Sequence, residues 1–282
     1  MRLLVTGATG FIGQHLIPLL LHHGHQVTAL VRKENRAKNY DWHRQIRLQT
    51  HDILDPTATI HPEIGNNDAV IHLAWAGLPN YMSLFHFERN LPADYRFLKA
   101  VIEAGIKQVL VTGTCLEYGM QSGCLSEDLP TRPANPYALA KDTLREFLES
   151  LQREVPFNLQ WARLFYMHGP GQHPSSILAQ LDTALERGDD SFNMSGGEQL
   201  RDYLPIREVV RRLLILAENP QCRGIVNICR GTPISVRGLV EQHLVERGRT
   251  IRMNMGHFPY PENEPMAFWG DCTKLQSYPD KK

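Results

Sequence analysis

The sequence has no long hydrophobic run, no excess of charge of either sign and no recognisable leader. No apolar stretch approaches the roughly 20 residues that a membrane-spanning helix needs, and the chain begins directly with the strand-like residues 2–5. Its 30 basic residues balance 30 acidic residues, whereas a general nucleic-acid binder carries a basic patch. We therefore expect a cytoplasmic protein that binds neither membranes nor nucleic acids.

Cysteine is also scarce, and no metal-binding pattern is present. The five cysteines contain no C-x-x-C pair, and the 13 histidines contain no H-x-x-x-H or H-E-x-x-H arrangement. These spacings predict reduced thiols and no metal site. The remaining composition is that of a globular protein, with 42% hydrophobic and 21% charged residues over 282 positions. This length is enough for one large domain or two small ones.

Short apolar runs alternate with helical patterns through the first half of the chain. Helical spacing occurs at about 11–23, 84–104 and 137–154. Runs typical of buried strands occur at 3–6, 26–31, 47–50, 69–73, 108–112 and 158–164. Because buried strands that alternate with helices form a parallel sheet covered on both faces, we predict an α/β fold with a doubly wound Rossmann sheet.

The alternation of strands and helices changes at residues 169–171, which read Gly-Pro-Gly. We predict a nucleotide-binding Rossmann domain over residues 1–164 and a mainly substrate-binding lobe over residues 165–282. A helical pattern and a strand-like run within 206–228 are expected to return to the first domain.

A glycine-rich loop follows the first predicted strand. Glycine permits a tight turn, lets the backbone approach a pyrophosphate and lets a helix pack closely on a strand. The N-terminus of the following helix offers free N–H groups to phosphates. The alternative is an ordinary strand-to-helix turn, but the context between a strand and an apolar helix favours cofactor binding. The candidate cofactor-binding residues of this loop are Gly7, Thr9, Gly10, Phe11, Ile12 and Gly13.

The end of the second predicted strand bears on the choice between NAD and NADP. A site for NAD usually places an acid there, bonded to the ribose 2′-hydroxyl, whereas an arginine accommodates a 2′-phosphate. This strand ends in Arg32 and Lys33 without an acid. The residues therefore favour NADP as the cofactor. NAD stays possible, because both side chains also fit the role of solvated loop charges.

Tyr137 and Lys141 stand four residues apart in a predicted helix. Residues at this spacing lie on one helix face, so we expect the ammonium beside the phenol. The ordinary pKa of tyrosine is about 10, and a nearby cation lowers it, which brings a proton donor toward working pH. The pair is therefore a candidate catalytic set, with Lys141 expected to make Tyr137 more acidic.

These motifs resemble the extended short-chain dehydrogenase/reductases, also called the NAD-dependent epimerase/dehydratase family. The resemblance covers nearly the whole chain and includes the G-x-x-G-x-x-G spacing, the strand 70–74, Arg163 and the stretch 164–171 in family order. It implies that further residues contact the dinucleotide, with Asp52 near the adenine. The implied cofactor-side residues are Asp52, Ile53, Leu73, Ala74, Trp75, Asn90, Thr112, Tyr137 and Lys141.

The resemblance also implies a catalytic hydroxyl four residues before a Tyr-Gly pair. Tyr118 and Gly119 form that pair, which selects Thr114. Thr112 is the other candidate, and it better suits a turn-forming hydroxyl. Sugar 4,6-dehydratases of this family carry Asp-Glu directly after the hydroxyl residue, whereas this chain has Cys115 and Leu116. We therefore expect no dehydration, and we interpret Cys115 as a residue at the edge of the core and not as a nucleophile.

The resemblance places the substrate in the second lobe and against the catalytic residues. Arg201 could pair with the diphosphate of a nucleotide-sugar, and the alternative is a structural ion pair. Trp75 could wall the pocket, and core packing explains it equally well. Residues 258–271 resemble the C-terminal segment of bacterial reductases of nucleotide-activated 4-keto-6-deoxy sugars. The candidate substrate-binding residues are Trp75, Thr114, Cys115, Tyr166, His168 and Arg201.

The implied function is reduction of the C4 keto group of such a nucleotide-sugar, in the supply of sugars for surface polysaccharides. The resemblance also implies a homodimer. Two alternatives remain open at this stage. One is a nucleotide-sugar 4-epimerase that retains NAD, and the other is a non-catalytic NADP-binding sensor.

Overall fold

The computed structural model describes residues 1–262 and 264–279. Its helices are α1 (Gly13–His22), α2 (Glu34–Ala37), α3 (Leu91–Glu103), α4 (Pro136–Leu151), α5 (Ile177–Arg187), α6 (Ile206–Glu218), α7 (Val236–Glu246) and α8 (Thr273–Gln276). Its strands are β1 (Arg2–Thr6), β2 (Gln26–Val31), β3 (Arg47–Thr50), β4 (Ala69–His72), β5 (Gln108–Thr114), β6 (Gly123–Leu125), β7 (Asn158–Leu164), β8 (Tyr166–His168), β9 (Ser191–Asn193), β10 (Leu200–Arg201), β11 (Tyr203–Pro205), β12 (Gly224–Ile228), β13 (Ile234–Ser235), β14 (Arg252–Asn254) and β15 (Phe268–Gly270).

A seven-stranded sheet forms the centre of the molecule, in the order β12-β7-β5-β4-β1-β2-β3. All of its neighbouring strands are parallel. The order reverses between β1 and β4, and ligands bind at such a switch point, outside the carboxyl ends of the strands. The predicted α/β Rossmann fold is therefore confirmed.

Both faces of the sheet are covered, which explains why its strands are apolar throughout. On one face, Leu3 and Val5 of β1 pack with α1 and α6 through Leu16 and Leu213. On the other face, strand residues such as Leu4 pack with α3 and α4. Successive residues of β1 thus face opposite layers. No helix in the described part of the chain is long and apolar enough to cross a membrane.

The later chain divides between the sheet and a separate apolar cluster. The strand β12 is the edge strand beside β7, and α6 packs against α1, so the segment 206–228 contributes to the Rossmann half. The second cluster is formed by α5, α7 and the short strands β9 and β14, and its members include Leu181, Phe192 and Val240.

Two helices begin at positions that differ from the sequence-based expectation. The helix α1 begins at Gly13 and not at 11, because the N–H of Gly10 donates to the carbonyl of Gly7 and closes a turn instead (2.9 Å). The helix α3 begins at Leu91, and the expected helical residues before it include one π-helical turn, His86–Asn90. A π-helical turn inside helical structure often marks a functional site.

Gln160 of β7 is expected to be a strong determinant of stability. Its fully buried amide donates to the carbonyls of Leu216, Asn219 and Cys222 and accepts from Gln108. Replacement of Gln160 by Leu removes all of these hydrogen bonds from the core. We expect the free energy of unfolding, measured by urea denaturation, to fall by about 2–4 kcal/mol.

The matched control for this prediction is Gln242→Leu, because Gln242 is an exposed glutamine of α7. Its effect should stay within about 0.5 kcal/mol of zero. A Gln160→Leu protein as stable as the control variant would contradict the role given to the buried amide.

Candidate active site

The glycine-rich loop packs tightly between β1 and the end of β4. Gly7 has a φ of +69°, and a Cβ atom there would lie 2.8 Å from the backbone nitrogen of Ala74. A Cβ atom on Gly13 would lie 2.3 Å from the carbonyl oxygen of Gly7. Both distances are too short for a real side chain, so these positions require glycine. The loop thereby holds the start of α1 against the carboxyl edge of the sheet.

A groove of about 480 Å³ opens beside this loop. Its volume lies within the range of about 300–1,000 Å³ that is typical of small-molecule sites. Among the residues predicted to bind the cofactor, the groove is lined by Gly7, Thr9, Gly10, Arg32, Lys33, Asp52, Ile53, Leu73, Ala74, Trp75 and Asn90.

Three of the predicted cofactor residues have other contacts. Phe11 and Ile12 pack against the core cluster on the α1 face of the sheet. The Thr112 hydroxyl donates to the carbonyl of His72 (3.2 Å), which joins β5 to β4. Thr112 therefore does not form the turn that was expected of it, because it lies within β5 and its hydroxyl bonds to the neighbouring strand. The hydroxyl that caps the turn is that of Thr114, which accepts from the N–H of Leu116 (3.3 Å).

One buried atom of the groove fits a bound ligand. The Nδ2 group of Asn90 donates to the carbonyl of Ala76 (2.8 Å), whereas its buried Oδ1 atom has no hydrogen-bond partner among the described residues. A buried polar atom without a partner is costly. An acceptor of this kind, together with the glycine loop, fits a dinucleotide with hydroxyl and amide donors.

Several groove residues were missed by the sequence analysis. Arg36 lines the groove on α2, near Arg32 and Lys33, and the signal that could have found it is this local cluster of basic residues. Asp94 lies at the other end, fully buried on α3, where it accepts from His72 (2.8 Å). His72 is also within 3.0 Å of the Thr6 hydroxyl, so these side chains fix the ends of β1 and β4. The other missed lining residues are Thr6, Leu30, Val31, His51, Leu54 and Ala76.

The three predicted catalytic side chains come together at the end of β5 and the start of α4. Tyr137 lies in the first turn of α4, with its phenol within hydrogen-bonding reach of the Thr114 hydroxyl. The Nζ atom of Lys141, one turn further on, donates to the carbonyl of Thr112 (2.8 Å). Below them the buried Glu117 accepts from the backbone N–H of Thr114 (2.8 Å) and from Arg163 (2.6 Å).

The pKa of Tyr137 is raised, and not lowered as was expected from its neighbour Lys141. Burial raises the pKa of the Tyr137 phenol well above its ordinary value, with further contributions from Tyr81 and Glu117. Burial also lowers the pKa of Lys141 to about 8, against the opposing effect of Asp94 and Glu117. Desolvation is the largest cause of both shifts. Tyr137 is therefore a protonated phenol at neutral pH, as a proton donor must be.

A second cavity of about 270 Å³ lies in the C-terminal lobe. Tyr166 and Arg201 both line it, and so does Glu264, which accepts from Arg201 Nη2 (3.0 Å). Arg201 thus forms the structural ion pair that was the alternative to a contact with a diphosphate. His168 lies near His243 of α7, and burial lowers its pKa.

Cys115 lies in an apolar cluster with Phe165 and Phe268. Burial raises the pKa of its thiol far above the ordinary value, so the thiol is protonated at neutral pH. Since the thiolate is the nucleophilic form of cysteine, this environment does not suit a nucleophile.

A comparison with protein families finds one family whose model matches this chain. The model of the NAD dependent epimerase/dehydratase family matches residues 3–229. The chain belongs to this family. The sequence-based assignment to it, and to an enzyme of the extended short-chain dehydrogenase/reductase type, is confirmed.

Individual relatives cover most of the chain. It is 29% identical over 274 residues to a dTDP-6-deoxy-L-talose 4-dehydrogenase (NAD(+)) of Aggregatibacter actinomycetemcomitans, covering 96% of this chain and 99% of the relative. It is 30% identical to a UDP-glucose 4-epimerase of Mycolicibacterium smegmatis, covering 74% of this chain and 71% of the relative. Among solved structures, MoeE5 in complex with UDP-glucuronic acid and NAD is similar with a TM-score of 0.82 and 26% identity, covering 100% of this chain and 94% of that chain.

Replacement of Gly7 by Ala is expected to impair dinucleotide binding. The added Cβ atom must displace the loop from the backbone of Ala74, since its ideal position lies 2.8 Å from the Ala74 nitrogen. We expect the dissociation constant for NADH and NADPH, measured by isothermal titration calorimetry, to rise about tenfold or more.

Gly24→Ala is the matched control. Gly24 has a similar φ of +75°, but a Cβ atom there meets nothing within 4 Å. The Gly24 variant therefore reproduces the backbone strain without the contact to Ala74, and it should leave the dissociation constants unchanged. Equal affinities of the Gly7 and Gly24 variants would contradict the structural role of the loop.

Proposed function

We propose that this protein reduces the C4 keto group of a nucleotide-activated 4-keto-6-deoxy sugar with a nicotinamide dinucleotide. The observation that carries the proposal is a buried Tyr137 within hydrogen-bonding reach of Thr114 and one helical turn from Lys141, with its ring against Trp75, which lines the groove. The relative named as a dTDP-6-deoxy-L-talose 4-dehydrogenase, matched over 99% of its length, supports oxidation or reduction at C4 of a 6-deoxy sugar.

Each catalytic side chain has a distinct task in this reaction. A dinucleotide bound in the groove supplies the hydride. Tyr137 holds the proton that its phenol oxygen gives to the developing C4 alkoxide. The Thr114 hydroxyl positions the carbonyl oxygen next to that phenol. Lys141 supplies positive charge beside the oxygen on which negative charge develops.

The turn after β5 supports reduction over elimination of water. Elimination needs an acid and a base next to the reacting carbons, and the two positions after Thr114 hold Cys115 and Leu116. Burial keeps Cys115 protonated, and Leu116 cannot accept or donate a proton. Glu117 follows them, but its carboxylate is bonded to Arg163 and Trp161 in the core.

Tyr137→Phe is expected to abolish reduction while dinucleotide affinity stays within about twofold of wild type. The phenol ring is retained, so packing is preserved, and only the transferable proton is lost. A loss of about 100-fold or more in kcat follows from removal of a general acid. The assay follows oxidation of NADPH or NADH with purified dTDP-4-keto-6-deoxyglucose, and mass spectrometry checks for a product with two added hydrogens.

The matched control is Tyr95→Phe, because Tyr95 lies on α3 against Phe147 and should leave kcat unchanged. Full activity of the Tyr137→Phe protein would overturn the proposed role of the phenol.

The same protein preparations test the alternative function of a 4-epimerase, which the matched UDP-glucose 4-epimerases favour. A protein that carries dinucleotide through purification and inverts C4 of a nucleotide-sugar without net oxidation of added cofactor is an epimerase and not a reductase.

We propose NADP as the preferred cofactor. Arg32, Lys33 and Arg36 all line the same end of the groove, and charge-assisted hydrogen bonds from arginine to phosphate are strong. Because the 2′-phosphate is the difference between the two cofactors, the double variant Arg32→Ala/Arg36→Ala should raise the KM for NADPH about tenfold or more and leave the KM for NADH nearly unchanged.

Arg153→Ala, which removes an exposed arginine after α4, is the control for the general change in charge. It should alter neither KM. Wild-type protein that uses NADH as well as or better than NADPH would contradict the preference for NADP.

A further inference from the structure

The ammonium group of Lys141 lies against an aromatic ring. Its Nζ atom is 4.0 Å from the centre of a Trp75 ring, and the lysine is only 1% exposed. The same atom donates to the carbonyl of Thr112 (2.8 Å). An ammonium group has three donor hydrogens, so the carbonyl and the ring face occupy two of them. Trp75 also lines the groove, so its ring lies between Lys141 and the space that a ligand would occupy.

The Trp75 ring is held in place by His86. The indole Nε1–H donates to His86 Nδ1 (3.1 Å), and His86 Nε2 is 2.8 Å from the carbonyl of Asn80. Because an indole can only donate, Nδ1 is the acceptor and the proton of His86 is on Nε2, which donates to Asn80. His86 is fully buried in the π-helical turn before α3. The turn therefore fixes the orientation of the indole.

The same segment also encloses Tyr137. The rings of Trp75, His86 and Tyr81 lie 6.0, 5.3 and 5.4 Å from the Tyr137 ring, between centroids. Tyr81 also accepts the backbone N–H of Tyr137 through its carbonyl (3.1 Å). The loop after β4 thus contacts both the proton donor and the lysine, and no other part of the described chain presents an aromatic face to that ammonium.

We propose that Trp75 is a positioning residue, which holds the Lys141 ammonium charged and in place beside Tyr137 through a cation–π contact with a ring that His86 orients. Its consequence for proton transfer rests on the proposed function, but the contact itself does not. A cation on a desolvated indole face gains more than an exposed one. This gain matters at Lys141 because burial disfavours its charged form.

The other charged groups near Lys141 lie on α3, in the turn after β5 and on α4 itself. Asp94 on α3 and Glu117 after β5 favour the ammonium, but each is bonded to another side chain, Asp94 to His72 and Glu117 to Arg163 on β7. On α4 itself, Asp142 is bonded to Arg145. The neighbours whose contacts are directed at Lys141 are therefore the Thr112 carbonyl and the Trp75 ring.

Tryptophan fluorescence of the protein alone tests the contact. Because the charge lies on the indole face, loss of the Lys141 proton should change the emission of Trp75 in a step with a midpoint near pH 8. We expect the step in wild-type protein and in Trp269→Phe, which removes a tryptophan of β15. It should disappear in Lys141→Met and in Trp75→Phe. Lys141→Met keeps a side chain of similar length, so the contact is tested even where Trp75→Phe folds poorly.

The pH profile of reduction tests the consequence. In Trp75→Leu, which removes the aromatic face, the alkaline limb of kcat should move to lower pH by about one unit. Trp75→Phe, which keeps an aromatic ring, should restore part of that shift. A residue that served only for packing would lower stability and leave the position of the limb unchanged.

Two results would overturn the proposal. One is a fluorescence step that persists in Lys141→Met or is missing in wild-type protein up to the ordinary lysine pKa of about 10.4. The other is an alkaline limb that stays in place in Trp75→Leu. A protein that shows the fluorescence step but reduces no keto sugar would contradict the proposed function and support the contact, so the two failures are distinguishable.

Discussion

Lys141 carries a positive charge at a position with 1% exposure, and the groups that compensate for its lost hydration come from several elements. Moving an ammonium group out of water costs several kcal/mol unless partners replace the water. The Thr112 carbonyl of β5 does so directly, the Trp75 ring does so from the segment after β4, and Asp94 of α3 acts at longer range. The lysine therefore couples the geometry of the groove to that of the catalytic residues.

The two buried carboxylates next to this lysine fix the strand ends that form the site. Asp94 accepts from His72 at the end of β4, and His72 contacts Thr6 at the end of β1. Glu117 accepts from Arg163 on β7 and from the backbone of Thr114 on β5. Buried carboxylates are stable only when paired and hydrogen-bonded. Because these pairs join adjacent strands, the carboxyl edge of the sheet is held rigid where a ligand and the catalytic hydroxyls meet.

Local pattern was enough to predict the elements but not the contacts between them. The strands at 26–31, 47–50, 158–164 and 224–228 follow from buried apolar runs, and the structure has them at the same residues. The spacing of Tyr137 and Lys141 predicted that both lie on α4. The π-helical turn at His86–Asn90 had no local signal, because it depends on how the loop after β4 packs on α4.

The electrostatics of the site could not be obtained from spacing alone. One turn of helix indicated that Lys141 lies near Tyr137, but the effect on pKa depends on burial, which is a property of the whole fold. The partner of Arg201 was equally hidden, since Glu264 is 63 residues away in sequence. A motif that names one residue gives no information about which distant residue neutralises it.

The ion pair of Arg201 and Glu264 changes how the second cavity would treat a phosphate. Arg201 is 3% exposed and already bonded to a carboxylate, so a diphosphate meets a neutral pair and must displace Glu264 to reach the guanidinium. The side chain of Glu264 is 26% exposed, and water can therefore receive the released carboxylate at modest cost. By contrast, Arg32 and Lys33 at the groove are solvent-exposed, and their attraction for phosphate is screened by salt. The two cavities thus differ in kind, since an anion would have to replace Glu264 in one and would meet solvated charge in the other.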